Sequence, residues 1–256
     1  MRRRLLYAQS SAMAALIEHA DELMASASFR MVKAEGKTRA GFFACSDGRS
    51  VFIKRSEVRS RLAGMYQMIL GSRASRALRG AEILRGSGFH CATPLAAMDL
   101  VQSGAIAASD LMSEALERAL ILSHFALGRA GEPRHGYARR KAVSDALAAE
   151  IRRLHEAGIY TRDLQETNIM VEECDGRLRF YFLDLEDFRH TSHVSERRRT
   201  LNLVHLDRSI GRFVSRAGRL SFLYAYARPS SRASRRKMVT DFLGLKREVE
   251  RSHGRG

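Results

Sequence analysis

The sequence predicts an α+β protein of two lobes, a small antiparallel sheet in the first and mostly helices in the second. Three observations carry this. Apolar runs of strand length, Phe29 to Lys33, Gly41 to Cys45 and Val51 to Lys54, cluster early in the chain, with the turn residues Ser46-Asp47-Gly48 before the last. From Ala138 to Ala157, Val143, Leu147, Ile151 and Leu154 recur at three- and four-residue steps and put one apolar stripe on a long helix. A second hairpin pattern follows, with Asn168 to Glu172 and Arg179 to Leu183 flanking Asp175-Gly176. With 256 residues, 45% of them hydrophobic, the chain can bury a core in each lobe.

The remaining elements follow in order. The opening MRRRLLYAQSSAMAALIEHADELMASA imitates a secretion signal in its basic start and small-residue end. Gln9, Ser10, Ser11, Glu18, Asp21 and Glu22 interrupt its apolar run, so an amphipathic surface helix is expected instead. After the sheet, Arg73 to Arg85 reads as a helix ended by Gly86 and Gly88, and Pro94 to Met98 opens a return. Gly158 closes the long helix. Repeats, low-complexity tracts and flexible linkers are missing, so the lobes, expected at residues 1–112 and 113–256, are closely joined.

Bulk chemistry narrows the partners. Cys45, Cys91 and Cys174 are odd in number and lack CxxC spacing, which suggests neither a disulfide framework nor a zinc site and fits a cytoplasmic protein. His155, His190, His193 and His205 have no metal-ligand spacing and read as surface or core residues. No run approaches the ~18 apolar residues of a membrane span, so any membrane contact is peripheral. Net charge is +16, and residues 189–256 hold 17 Lys/Arg against 5 Asp/Glu. That quarter either wants an anionic neighbour or is a solvated basic face; charge alone does not rank nucleic acid, anionic lipid and phosphorylated substrate.

The most informative stretch is IYTRDLQETNIMVEECDGRLRFYFLDLED, residues 159–187. A hairpin turning at Asp175-Gly176 brings Asn168 opposite Leu183 or Asp184, so that an amide oxygen and a carboxylate reach one hard cation. Asp163 lies in the loop entering the first strand. Lys54 ends an apolar strand, where an unpaired ammonium is costly and a phosphate would pair with it. Phosphoryl transfer needs these parts: a carboxylate on the acceptor hydroxyl, Mg2+ on the phosphate oxygens and a fixed cation. The blander alternatives are a self-capping loop for Asp163 and Asn168, an edge-strand gatekeeper for Lys54 and a solvated acidic turn for Asp184. Of the three acids after the hairpin only Asp184, which follows the apolar run directly, is favoured for chemistry; Glu186 and Asp187 are expected to be a solvated acidic turn.

On these residues a resemblance rests. VFIK resembles the strand-lysine motif of kinases, TRDLQETN their catalytic loop and FLD the start of their metal-binding motif. More narrowly, RLHEAGIYTRDLQETNI, SRALRGAEILRGSGFHCATPLA and LNLVHLDRSI are similar to the bacterial lipopolysaccharide core sugar kinases, the Kdo and heptose kinase family, over residues 29–226. The resemblance implies a two-lobed protein-kinase-like fold, ATP and Mg2+ as cofactors, and phosphorylation of a sugar hydroxyl on a lipopolysaccharide core or similar anionic glycolipid. It further implies a location at the inner face of the cytoplasmic membrane, with no nucleic acid partner expected. It makes Asp163 the catalytic carboxylate, Asn168 and Asp184 the Mg2+ ligands and Lys54 the phosphate contact. LMSEAL resembles the hinge, placing the Glu114 carbonyl and the Leu116 amide against adenine.

Departures from the pattern are equally plain. Thr161 replaces a common His, Gln165 replaces Lys, and Gly80 stands where the helix should offer a Glu to Lys54, leaving Glu82 as the nearest acid. Gly36 and Gly41 flank KTRA without the GxGxxG spacing of a phosphate loop. Only 17 residues lie between Asp184 and Asn202, which resembles the position of a structural Asp, and no protein-substrate segment fits there. A small-molecule phosphotransferase of the aminoglycoside-kinase type and a non-catalytic kinase-like binding module are the competing expectations.

Overall fold

The computed structural model describes residues 1–45, 47–128, 135–228 and 230–253. Residues 1–82, 91–117 and 184–186 form one compact unit, and 83–90, 118–183 and 187–253 a second. The division expected after residue 112 falls inside a strand that runs to Glu114.

The first unit is built on a six-stranded antiparallel sheet. Its strands are β1 (Arg2–Ala8), β2 (Phe29–Glu35), β3 (Thr38–Ala44), β4 (Ser50–Glu57), β6 (Pro94–Gln102) and β7 (Ala105–Glu114), in the order β1-β6-β7-β4-β3-β2. Three helices belong with it: α1 (Ser11–Glu18), α2 (Ala20–Ala25) and α3 (Arg61–Leu70). Alternate residues Val51 and Ile53 of β4 and Ala96, Met98 and Leu100 of β6 point into one core, which Ile17 of α1 closes. Helix α4 (Arg73–Gly86) follows α3.

The expected N-terminal surface helix is corrected. Residues 2–8 form a strand, and only 11–25 are helical. Pairing decides this: β1 lies antiparallel to β6, and Arg4 donates to the fully buried Asp99 carboxylate at 2.6 Å. A helix would strand that carboxylate. In the turn before β4, Ser46 lies outside the described residues, whereas Asp47 accepts from the Arg49 amide and Gly48 takes a φ of +81°.

The second unit holds β5 (His90–Cys91, its last residue counted with the first unit), β8 (Leu120–Ile121), α5 (Leu122–Leu127), α6 (Tyr137–Glu156) and β9 (Ile159–Thr161). The hairpin β10 (Ile169–Cys174) and β11 (Arg177–Phe182) comes next, then β12 (Phe188–His190), α7 (Glu196–Ile210), α8 (Arg216–Tyr226) and α9 (Arg232–His253). The strand order β5-β11-β10-β8 makes a four-stranded sheet, and β9 pairs with β12. Val143, Leu147, Ile151 and Leu154 of α6 are all buried, as their spacing predicts. At Gly158 the chain turns with φ +75°, and an added Cβ would lie 2.1 Å from the Thr191 carbonyl oxygen, so that corner needs glycine.

Candidate active site

In the first unit, Lys54 sits on β4 between Ala40 of β3 and Leu111 of β7. Its Nζ donates to Asp184 Oδ1 at 2.6 Å and to Glu186 Oε1 at 3.2 Å. Burial works against the ammonium, but the two carboxylates more than offset it and hold Lys54 above its usual pKa. Burial alone would raise Asp184; the charge and hydrogen bond of Lys54, with a hydrogen bond involving Glu186, hold it below the usual carboxylate range instead. Asp184 has φ +53°, a left-handed conformation that Asp tolerates better than most residues.

Two expectations are corrected here. Glu82 lies exposed on α4, and the second acid bound to Lys54 is Glu186. Nor is Glu186 a solvated turn residue: it is 8% exposed, accepts from Arg76 at 3.4 Å and lies 3.6 Å from Arg73 Nε. Gly80 explains the exchange. A Cβ there would sit 1.9 Å from the Leu185 carbonyl oxygen, so the helix gives up its side chain to let the 184–186 turn approach, and that turn supplies the acid. Sequence reasoning missed Glu186 because its only signal, an acid two residues beyond Asp184, looks the same in a solvated turn.

The two glycines read as a thin phosphate loop serve the β2–β3 hairpin. Gly36 makes the turn with φ +57°, and a Cβ on Gly41 would lie 2.5 Å from the Arg30 carbonyl oxygen. Glu114 ends β7, its amide donating to the Thr93 carbonyl at 2.9 Å. Leu116, half-buried, follows in the connection out of the sheet.

In the second unit, Asp163 and Asn168 come together. Gln165 Nε2 donates to Asp163 Oδ1, and Asn168 Nδ2 donates at 3.2 Å both to Asp163 Oδ2 and to its backbone oxygen. Both carboxylate oxygens are thus held by neutral donors, and the amide orientation of Asn168 leaves its Oδ1 as the atom for a hard cation. The hairpin has the predicted register: Ile169 pairs with Phe182, and the Leu183 amide donates to the Asn168 carbonyl at 2.9 Å. Asp184 is the next residue in the chain.

Beneath the Asp163 loop lies a buried polar network. Asn202 of α7 donates to the Thr161 carbonyl at 2.6 Å, while its Oδ1 accepts from the Thr161 amide at 3.4 Å and from His155 Nε2 at 3.1 Å. Since Nε2 donates, Nδ1 of His155 accepts from the Tyr226 hydroxyl at 2.8 Å. Burial holds the imidazole neutral, its pKa pushed down to about 4. His205 bonds the Arg162 carbonyl, and Ser209 accepts from the Glu166 amide. His155, read from the sequence as a surface or core residue, is a core one, and both it and His205 support the loop.

A family model described as the lipopolysaccharide kinase (Kdo/WaaP) family matches residues 30–226. The chain belongs to that family. Its reaction class is accordingly phosphoryl transfer from ATP, and its acceptor a lipopolysaccharide core. Among solved structures, WaaP in complex with acyl carrier protein is similar over 100% of this chain and 99% of that one, with 21% identity and a TM-score of 0.65. The Rio2 kinase–ADP/Mg2+–phosphoaspartate complex from Chaetomium thermophilum is similar over 93% of this chain and 75% of its own, with 18% identity and a TM-score of 0.52. These likenesses establish a kinase-like fold. No curated protein sequence matches the chain.

The second unit of this lipopolysaccharide kinase also contains a cavity of about 340 Å3 lined by Leu122, Leu147, Leu203, Phe213, Phe222 and Phe242, among others. Asp207, paired with Lys246 at 2.6 Å and Arg219 at 3.1 Å, contributes to its wall. Among the described residues, no helix is long and apolar enough to cross a membrane.

Proposed function

We propose that this lipopolysaccharide kinase phosphorylates a sugar hydroxyl with Asp163 as the base, Asn168 and Asp184 as the Mg2+ ligands and Lys54 as the phosphate contact. The single observation that carries the reading is the double clamp on Asp163. Neutral donors from Gln165 and Asn168 fix both its oxygens without adding charge, which holds the carboxylate in one orientation, aimed to take a hydroxyl proton. Hard oxygen donors from Asn168 and Asp184 suit Mg2+, which takes few protein ligands and keeps its remaining positions for phosphate and water. When bound, the ion supplies charge neutralisation on the phosphate oxygens. Lys54 is held charged by Asp184 and Glu186, ready to exchange part of that pairing for phosphate. The Glu114 carbonyl and the Leu116 amide are the adenine contacts.

The direct test is phosphate transfer from ATP to purified core glycolipid in the presence of Mg2+. Asp163→Ala should lower kcat at least ~100-fold with little change in KM for ATP. Transfer by the variant at near wild-type rate would remove Asp163 from the role of base. Peripheral attachment to an anionic membrane surface completes this reading, because the acceptor is a glycolipid and the chain carries +16.

The cavity favours a second partner. The similar WaaP structure is a complex with acyl carrier protein. A largely apolar space of about 340 Å3 in the second unit can take a hydrocarbon chain such as that partner class carries. Acylated carrier protein should raise the Tm of this kinase more than the unacylated form; equal shifts would separate the cavity from the partner.

A further inference from the structure

We infer that α3 is a bilayer-docking element, which inserts its apolar face into an anionic lipid surface. The inference deepens the membrane reading above and rests on it only for the acceptor being a membrane glycolipid. Helix α3 is inside out for a globular protein. Of its ten residues, Leu62, Met65, Tyr66, Met68, Ile69 and Leu70 are all exposed, Ile69 to 83% and Leu70 to 67%, while Gly64 is buried. Single exposed apolar residues are ordinary, but six on three turns form the kind of patch that soluble monomers avoid.

Four contacts show that the exposure is built in. An added Cβ on Gly64 would lie 2.3 Å from the Ile106 carbonyl oxygen of β7, so the helix backbone rests on the sheet at the one position where only glycine fits. Rotation about the helix axis would drive a large side chain into that backbone. The N-terminus is capped by Ser60, whose Oγ accepts from the Ala63 amide at 3.3 Å. At the other end, Arg79 donates to the Leu70 carbonyl and Arg76 to that of Gly71.

Charge selects the occupant. Residues 58–81 contain Arg59, Arg61, Arg73, Arg76 and Arg79 and not one Asp or Glu. Arg76 is engaged by Glu186, but Arg59 and Arg61 are exposed at the start of the apolar face. Apolar side chains projecting without a groove, a Tyr among them and arginines beside them, are what an interfacial helix needs to place its face below the headgroups and its cations among their phosphates. A protein partner would require shape complementarity that a convex row of flexible Met, Leu and Ile side chains does not offer in advance.

The experiment uses the full chain with vesicles of phosphatidylethanolamine and phosphatidylglycerol, and with phosphatidylcholine vesicles for comparison. Wild type should sediment with the anionic vesicles at low salt and poorly with the zwitterionic ones. The double variants Ile69→Glu/Leu70→Glu and Arg59→Glu/Arg61→Glu should each lower the partition constant by ~10-fold or more. Because these side chains are exposed, Tm and transfer to a soluble core oligosaccharide should not change. The chain contains no Trp, so Leu70→Trp gives a single reporter; its emission should shift to the blue on anionic vesicles, whereas Leu243→Trp on α9 should not shift. Undiminished vesicle binding by both double variants would overturn the inference, as would a shift at position 243 and not at 70. So would a wild type that ignores vesicles but pairs with itself, or with a carrier protein, through α3. Asp163→Asn keeps the two readings apart, since it should abolish transfer and leave vesicle binding intact.

Discussion

Lys54 shows how much one residue can declare and how much it withholds. A lysine closing an apolar run must be paired, and that requirement is legible in VFIK; its partner is not, because the partner lies 132 residues away. Glu186 takes the place expected of Glu82. If Lys54 is the phosphate contact proposed above, Glu186→Gln should lower kcat/KM for ATP by ~10-fold, equivalent to about 1.4 kcal/mol, by loosening its ammonium. Glu82→Gln, at an exposed position, should leave the kinetics unchanged. Steady-state kinetics on the two variants decide the matter, and the assignment fails if they lose activity equally. Asp163 and Asn168 were readable because their five-residue spacing belongs to a motif. Gln165 was readable only as a departure, and its hydrogen bond to Asp163 emerges only in the folded loop.

Elements whose pattern is local were readable from the sequence, and those defined by a distant neighbour were not. Helix α6 and the β10–β11 hairpin carry their own periodicity and turn, and both lie within two residues of the expected bounds. Strand β1 does not: three arginines and a short apolar run fit a helix or a strand, and pairing with β6 decides. Helix α4 was legible, but the reason for Gly80 within it was not, since nothing local marks the close passage of the 184–186 turn. Gly80→Ala should accordingly destabilise the protein by about 1–3 kcal/mol, as overpacking against a backbone does. Gly86→Ala, at the end of the same helix with no atom within 4 Å of the new methyl, should be neutral or slightly stabilising. Urea midpoints compare the two, and a Gly80→Ala as stable as Gly86→Ala would mean that the 184–186 turn does not pass against Gly80.

For the molecule as a whole, the buried network under the Asp163 loop couples stability to pH. His155 ties α6 to α7 through Asn202 and to α8 through Tyr226, and it does so as the neutral imidazole. A full carboxylate in place of Asn202 would favour the protonated ring; the amide keeps the geometry without that pull. Folded, the ring takes a proton only near pH 4; unfolded, it does so near the ordinary 6.5. The unfolded state thus binds the extra proton between those values, so the full stability is present above pH 6.5 and falls as pH drops towards 4. One proton corresponds to about 1.4 kcal/mol per pH unit, or roughly 2 kcal/mol between pH 6.5 and 5. His90, lowered by burial and by nearby Arg179, adds loss of the same sign. Carboxylates held low by arginine or lysine, such as Asp21 and Asp184, give way at lower pH, below the range where histidines titrate. Urea unfolding at pH 7, 6 and 5 should show the decline for wild type. His155→Gln begins less stable because it disturbs the network, but its decline over the same interval should be shallower by about one proton's worth of slope. Parallel slopes for the two proteins would show that the ring takes its proton as readily folded as unfolded, and the neutral network that positions the Asp163 loop would have to be abandoned.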